Sequence, residues 1–320
     1  MLRRKAYAKI NLALDVVRRL ENGYHEVRMI MQTVDLYDEL TFQKTEGGIA
    51  LTVDIAANGG ENTARPENSA YLPLQVDCKN GATSTCNGNG AVPTDQSNLI
   101  CKAAKLLLDT AGVTDGVAIH LCKTIPVAAG MAGGSTDAAA TLLGLNELFH
   151  LNYTAEELKI LGVKIGADVP YCIQGGTALA EGIGEILSPL PAPPAAHLLI
   201  AKPDINVSTA FVYRNLHLES VTKHPDIDGM IAALERHDLK GITNRLENVL
   251  ETVTVPAYPV IAQMKDLMSQ HGALGALMSG SGPTVFGIYE RKADAEKAVE
   301  EIRRQGLAGQ VYVTKFQPQT

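Results

Sequence analysis

The stretch Pro126 to Asp137, PVAAGMAGGSTD, has the make-up of an anion-binding turn. Gly130, Gly133 and Gly134, with the neighbouring alanines and Val127, leave so little side-chain bulk that backbone N–H groups can close on a phosphate. The helix that follows would offer its positive N-terminal end to the same anion. Ser135 and Thr136 add hydroxyls able to donate to a phosphate oxygen or to ligate Mg²⁺, the ion that neutralises a triphosphate during phosphoryl transfer. A glycine- and alanine-rich turn can also serve only to bring a helix close to a sheet. The length of the small-residue run and the paired hydroxyls favour phosphate. The turn is not of the Walker type, because no lysine occurs between Thr124 and Lys159. Neither Gly182-Ile183-Gly184 nor Gly280-Ser281-Gly282 completes GxGxxG, and Gly133-Gly134-Ser135 lacks the closing glycine of a nucleophile elbow.

Three further segments carry candidate chemistry. In Ala8 to Leu12, AKINL, the period of a strand puts Lys9 and Asn11 on one face, opposite Ile10 and Leu12, so a cation and an amide are presented together. In Gly166 to Pro170, GADVP, Asp168 stands at a helix start, where a carboxylate serves either as an N-cap or as a catalytic group. In Met278 to Thr284, MSGSGPT, small residues make a second turn, which is either a plain hairpin or another wall of an anion site.

These segments need elements to position them. Residues 5 to 18 alternate as a strand does, and 27 to 55 are rich in β-branched residues with a Glu46-Gly47-Gly48 break, as expected of antiparallel strands joined by a tight turn. From Ala57 to Asp95 the chain turns to Asn, Gly, Pro, Ser and Thr, the composition of an insertion or long surface loop. Ser97 is expected to cap a helix over 98 to 111, stopped by Gly112. A strand from Gly116 to Thr124 then leads into the phosphate turn and a helix from about Ser135 to Phe149. Thr154 with Glu157 forms a capping box opening the next helix. Two strands flank Gly182-Ile183-Gly184, and Pro189, Pro191, Pro193 and Pro194 suggest a boundary, giving domains over 1 to 190 and 195 to 320. Apart from extra helices, the second half reads β-α-β-β-α-β, the order of a ferredoxin-like α/β sandwich, so the fold class is α+β.

Composition narrows the possibilities. The 320 residues include 28 Lys and Arg against 35 Asp and Glu, a net charge of −7, with mean hydropathy +0.02 and 46% hydrophobic residues. Such a chain buries a proper core, and two domains suit its length. Neither half has an excess of cations, and 10 Tyr, 5 Phe and no Trp leave few rings for stacking on bases, so a nucleic-acid partner is not expected. The five cysteines are scattered without a CxxC pair, which signals neither a zinc site nor a disulfide framework. With no apolar segment long enough to span a bilayer and no apolar stretch behind the basic residues of Met1 to Ile10, a cytoplasmic protein is expected, away from membranes.

Taken in order, these segments resemble the GHMP kinase family, in which Pro126 to Ala140 is similar to the phosphate loop. The set AKINL, NGYH (Asn22 to His25), MQTVDLYDEL (Met31 to Leu40), Ser97-Asn98-Leu99, GADVP, AEGIGEIL (Ala180 to Leu187) and Ser279 to Gly282 points within it to members whose acceptor alcohol carries a cytidine diphosphate group, in the non-mevalonate route to isoprenoid precursors. The resemblance implies a two-domain GHMP fold, its N-terminal domain related to the ribosomal protein S5 domain 2-like fold, with ATP and Mg²⁺ as co-substrate and cofactor and the acceptor in a cleft between domains. It assigns Asp168 as the carboxylate that takes the proton of the attacking hydroxyl, and Lys9 as its partner, which also balances charge on the transferring phosphate. Asn11, Tyr24, His25, Asp168 and Thr209 become acceptor contacts, Tyr24 and His25 facing the cytosine. Asn98 and Lys123 become parts of the adenine pocket, and ATP is held by Pro126, Val127, Ala128, Ala129, Gly130, Met131, Ala132, Gly133, Gly134, Ser135 and Thr136. The metal ligands stay unassigned, and the chain is expected to work as a monomer or homodimer on a small molecule.

Two features depart from the family pattern: the length of the Ala57 to Asp95 stretch, and Met131 where leucine is usual, a swap of similar volume. The competing readings are a GHMP kinase for another small alcohol such as mevalonate or homoserine, and a catalytically silent nucleotide-binding relative. The Tyr24-His25 pair suits a base better than an aliphatic acid, against the first. Retention of Lys9, Asp168, Ser135 and Thr136 together argues against the second.

Overall fold

The computed structural model describes residues 1–21, 23–56 and 92–317, so most of the expected insertion, and Asn22 of the NGYH segment, lie outside the described residues. Two compact units are formed, and no single cut along the chain separates them. The first comprises Met1–Ala6, Tyr37–Val127 and Gly133–Ile173; the second comprises Tyr7–Leu36, Ala128–Ala132 and Gln174–Thr320. Two long strands, β1 (Leu2–Arg19) and β2 (His25–Thr45), contribute residues to both.

In the first unit the end of β2 is joined by β3 (Ile49–Ile55), α1 (Leu99–Ala111), β4 (Gly116–Lys123), α2 (Gly133–Leu148), α3 (Ala155–Val163) and α4 (Val169–Gln174). The strands on either side of the Gly47-Gly48 break are not direct partners as expected. β4 stands between them, antiparallel to β2 and parallel to β3, with Leu40 opposite Leu121 and Leu51 opposite Ile119. The turn at Gly47 and Gly48 must therefore step around a strand contributed from much later in the chain. Gly116 makes room for it, since a Cβ there would collide with the Gly47 carbonyl group. The helices close over this sheet through Leu40, Phe42, Leu51, Ile100, Ala104, Leu107, Ile119, Leu121, Ala138 and Leu142. At Gly144, α2 lies so near β2 that an added Cβ would stand 2.7 Å from the Phe42 ring.

Helix ends in this unit follow local chemistry, with one correction. Asn98, not Ser97, caps α1: its side-chain oxygen accepts from Ile100 N at 2.9 Å, while the Ser97 hydroxyl is engaged by Asp95 at 2.5 Å. Gly112 ends α1 in the left-handed conformation at φ 65°, as expected. The Thr154–Glu157 capping box is present in both directions. Helix α2 starts at Gly133, two residues before the expected start, so Ser135 and Thr136 fall in its first turn.

In the second unit β1 lies beside β2, and β5 (Thr177–Glu181) pairs with β2 and with β6 (Ile186–Leu190), which forms a hairpin around Gly182 to Gly184. Then follow β7 (His197–Lys202), α5 (Thr209–Arg214), α6 (Ile227–Glu235), α7 (Leu239–Thr243), β8 (Glu247–Asn248), α8 (Glu251–Ala257), α9 (Val260–Gln270), β9 (Gly275–Met278), β10 (Val285–Tyr289), α10 (Lys292–Arg304) and β11 (Gln310–Lys315). The four strands β11-β7-β10-β9 make one sheet in that order, antiparallel throughout, which is the ferredoxin-like arrangement expected from the element order. Helices α9 and α10 pack against it, and α10 turns Ala295, Ala298, Val299 and Ile302 inward at helical spacing while its charged residues stay out. Strand β8 was not expected. It interrupts the predicted helical stretch to pair in parallel with β1 at Ala13 and Leu14. Among the described residues no helix is long and apolar enough to cross a membrane.

Candidate active site

The phosphate turn is shaped by three left-handed residues in alternation, Ala128 at φ 51°, Gly130 at 70° and Ala132 at 57°. Alternating hands of backbone turn successive N–H groups to one side, which makes an anion-binding nest. Two of the three residues are alanines, each strained by about 1–2 kcal/mol in this conformation, and strain of that kind marks sites held for function. The turn runs directly into α2, whose first N–H groups have no partners within the helix.

In the second unit, the segment Ala128–Ala132 is tied down by residues from distant parts of the chain. The Lys9 backbone N–H donates to Met131 O at 3.2 Å, and its ammonium reaches Gly130 O at 3.3 Å. The Ser279 hydroxyl donates to the same carbonyl at 3.0 Å. With its carbonyl held from that side, Gly130 is locked, and any side chain there would run into the Ser279 carbonyl oxygen. Met131 is buried at 1% exposure, a place where methionine and leucine are of similar volume. Lys9 and Asn11 share a face as expected: the ammonium donates to Asn11 Oδ1 at 2.7 Å, and both residues are buried. The MSGSGPT turn connects the antiparallel pair β9 and β10 and also braces the Ala128–Ala132 segment, so it is more than a plain hairpin.

That turn is itself fixed by a residue the sequence reading passed over. Asn248 donates to Met278 O at 2.9 Å and to Gly280 O at 2.8 Å, while its own oxygen accepts from Leu250 N at 3.0 Å. It sits on the two-residue strand β8, too short to leave a pattern. Thr209, at the start of α5, shares a 2.9 Å hydrogen bond with the Ser281 hydroxyl, which brings the expected acceptor-side threonine to the same turn. His25 packs on Tyr213 of α5 with ring centroids 5.0 Å apart, and Tyr24 beside it is 58% exposed. Burial, with the charge of Arg19 adding to it, holds the His25 imidazole below its ordinary pKa. Tyr213 was also passed over, because an aromatic residue in a short helix reads as core.

In the first unit, Gly166 of the GADVP segment lies beside the start of α2, since a Cβ on it would come 3.9 Å from Ser135 Oγ. Asp168, two residues on, is half-buried just ahead of α4. Asn98 lies at the head of α1, its amide donating to Pro93 O at 2.6 Å. Lys123 is buried, its ammonium shared by Asp137 at 2.8 Å and by Asp38. Burial by itself lowers the lysine pKa, but the two carboxylates raise it overall. Burial also pushes the Asp137 carboxyl well above the ordinary range, with the charge of Asp38 adding to the rise and that of Lys123 opposing it. The sequence did hold a signal for this cluster. Leu36, Asp38, Leu40 and Phe42 fall on one face of β2, and Val117, Ile119, Leu121 and Lys123 on one face of β4, so an inward acid and an inward base were both due.

Beside one buried ammonium a second carboxylate is costly to keep charged, which is why burial raises the Asp137 pKa. Asp137→Asn removes that carboxylate and keeps Asp38 paired with Lys123, so at pH 7 the variant is expected to melt no lower than the native protein. A fall in Tm of more than about 2 °C would show that both carboxylates are needed for stability.

Residues 98–176 match the GHMP kinases N terminal domain, and residues 230–308 match the GHMP kinases C terminal region. A curated 4-diphosphocytidyl-2-C-methyl-D-erythritol kinase of Lachnoclostridium phytofermentans is 48% identical over 312 residues, covering 98% of this chain and 96% of its own. The crystal structure of a 4-(cytidine 5'-diphospho)-2C-methyl-D-erythritol kinase superposes with TM-score 0.74 at 30% identity, over 98% of this chain and 99% of that one. A homoserine kinase structure from Cytophaga hutchinsonii, with TM-score 0.69 at 19% identity over 98% of this chain and 95% of that one, shares the fold. The chain belongs to the GHMP kinases and, within them, to the 4-diphosphocytidyl-2-C-methyl-D-erythritol kinase family.

Proposed function

We propose that the protein transfers the γ-phosphoryl group of ATP to the 2-hydroxyl of 4-diphosphocytidyl-2-C-methyl-D-erythritol, releasing ADP and the 2-phosphate. The observation that carries the phosphoryl half of this reading is the left-handed alternation at Ala128, Gly130 and Ala132 immediately ahead of α2, a backbone surface suited to polyphosphate. The acceptor follows from the family to which the chain belongs.

The residue roles are those that the resemblance to the family implies, and the chemistry of each side chain suits its role. Asp168 takes the proton of the attacking hydroxyl as the new P–O bond forms. Lys9, with its ammonium against the Gly130 carbonyl, supplies positive charge to the loop and to the transferring phosphate. The nest from Pro126 to Ala132 and the first turn of α2, from Gly133 to Thr136, hold the ATP phosphates. Asn98 and the aliphatic stem of Lys123 line the adenine side, the Lys123 ammonium being committed elsewhere. Mg²⁺ asks little of the protein, because its shell consists mainly of phosphate oxygens and water. The half-buried hydroxyl of Ser135, in the first turn of α2, would fit that demand better than that of Thr136, which is 3% exposed, and Mg²⁺ held there would supply positive charge against the β- and γ-phosphates.

On the acceptor side, Tyr24 and His25 face the cytosine, and Asn11 and Thr209 hold polar groups of the sugar alcohol. Largely neutral at pH 7, His25 offers the base one donor and one acceptor. Tyr24→Ala is expected to raise the acceptor KM by roughly 2- to 13-fold, the loss of one ring stack, with the ATP KM unchanged. Equal acceptor KM values in steady-state assays would remove Tyr24 from base recognition. Work in the cytoplasm as a monomer or homodimer completes the proposal. Phosphorus NMR of a reaction with ATP, Mg²⁺ and the cytidylyl acceptor tests the reaction itself: a new phosphomonoester signal growing with ADP is expected, and recovery of both reactants unchanged would refute it.

A further inference from the structure

The phosphate loop has two stems, Thr124–Ile125 where it leaves β4 and Gly133–Asp137 where it becomes α2, and a single buried ammonium joins them. Asp38 Oδ1 accepts from Thr124 N at 2.5 Å and Ile125 N at 2.8 Å, so one carboxylate oxygen fixes the direction in which the chain leaves the strand. The other oxygen of Asp38 takes the Lys123 ammonium. That ammonium passes on to Asp137 Oδ2 at 2.8 Å, in the first turns of α2. Gly133 sits directly over it, since a Cβ there would stand 3.0 Å from Lys123 Nζ and 3.2 Å from Ile125 Cγ2. Asp38 is 0% exposed, Asp137 3% and Lys123 4%, so no water weakens the charges that bridge the stems.

The outgoing stem, the ammonium and the incoming helix thus form one chain of contacts, Thr124 and Ile125 to Asp38 to Lys123 to Asp137. Packed apolar residues often serve stability as well as a buried ion pair does, and one use for which some proteins keep buried ionic groups is to fix one arrangement among several. Here the arrangement fixed is the separation and angle of the two ends between which the backbone must bend into its strained nest.

We propose that Asp38, Lys123 and Asp137 are positioning residues for the nucleotide: they set the geometry of the phosphate loop from its two stems, and ATP recognition, not acceptor recognition, depends on them. The proposal rests on the reading of residues 126–136 as the phosphate cradle. A loop displaced by about 1 Å can cost on the order of 10²-fold in rate, so the effect of loosening the stems is large enough to measure.

The test compares the purified native chain with Lys123→Met, a substitution that keeps the stem's length and removes the charge. In the folded variant, kcat/KM for ATP is expected to fall about 10²-fold, mostly through KM, with the acceptor KM within about twofold of native. The rise in melting temperature given by ADP should be lost, and the amides of Thr124 and Ile125 should exchange hydrogen faster. Unchanged ATP kinetics, or equal losses for ATP and acceptor with the ADP effect retained, would overturn the proposal. Should Lys123→Met fail to fold, Asp137→Ala and Asp137→Asn decide. The asparagine keeps an oxygen for Lys123 and should keep the native ATP KM, whereas the alanine should raise it about tenfold or more. Identical ATP KM values for the two would overturn the clamp. The native chain is the control for the underlying reading: no ADP stabilisation and no ATP turnover there would mean that the cradle is wrong, whereas native turnover with indifferent variants would mean that only the clamp is.

Discussion

Asp168→Asn is expected to lower kcat by about 10²–10⁴, the usual worth of a positioned general base, while the KM values for ATP and acceptor stay within about twofold. The amide matches the carboxylate in size and keeps one hydrogen-bonding oxygen, so neither the short helix α4 nor the GADVP segment needs to shift. It has no oxygen basic enough to take the hydroxyl proton, and the loss therefore falls on the chemical step. Gly166, two residues away, adjoins Ser135 at the head of α2, so the GADVP segment lies beside that helix start. Single-turnover kinetics with saturating ATP separate that step from binding. Near-native turnover would remove Asp168 from its role.

Lys9→Ala should damage more than one parameter. The ammonium, 5% exposed, donates to Asn11 Oδ1 and to the Gly130 carbonyl, so its removal leaves two buried acceptors with fewer donors and takes a cation from the loop. Loss of one preorganised charge at a transferring phosphoryl group costs about 10²–10³ in kcat, and the loosened Gly130 should raise the ATP KM as well. Loss of Asn11's partner should carry through to the acceptor KM. Steady-state kinetics in both substrates, with melting temperature as the control for folding, check this. An unchanged kcat in a folded variant would reduce Lys9 to a structural lysine.

The parts of this site that could be read from the sequence are those whose signal is local. A small-residue run between a strand and a helix is visible wherever it occurs, and the nest at 128, 130 and 132 is what such a run permits. The Thr154–Glu157 box and the Gly112 stop depend on a few adjacent residues, and both form as read. The β-α-β-β-α-β order of the second half was legible because each element is long enough to show its period, and the order then fixes the sheet.

What escaped depends on residues far apart in the chain. Strand β4 enters between β2 and β3 because a parallel partner can come from beyond α1, and nothing near Gly47 announces it. Asn98 displaces Ser97 as the cap because Asp95 captures the serine hydroxyl, a choice between neighbours that composition alone does not weigh. Asn248 braces a turn some thirty residues away from a strand of two residues. Asp38 and Lys123 were within reach, as inward positions on two strands, but only the pairing of β2 with β4 shows that one charge answers the other.

The proposed reaction is transfer of a phosphoryl group from ATP to a cytidylyl-linked alcohol by one backbone nest and one carboxylate. It is tested most directly by measuring Mg²⁺-dependent ADP release from ATP with four acceptors in parallel: 4-diphosphocytidyl-2-C-methyl-D-erythritol, mevalonate, homoserine and galactose. Turnover with the cytidylyl compound alone is the expected result. Turnover with another of the four in its place, or nucleotide binding with no turnover on any, would contradict it.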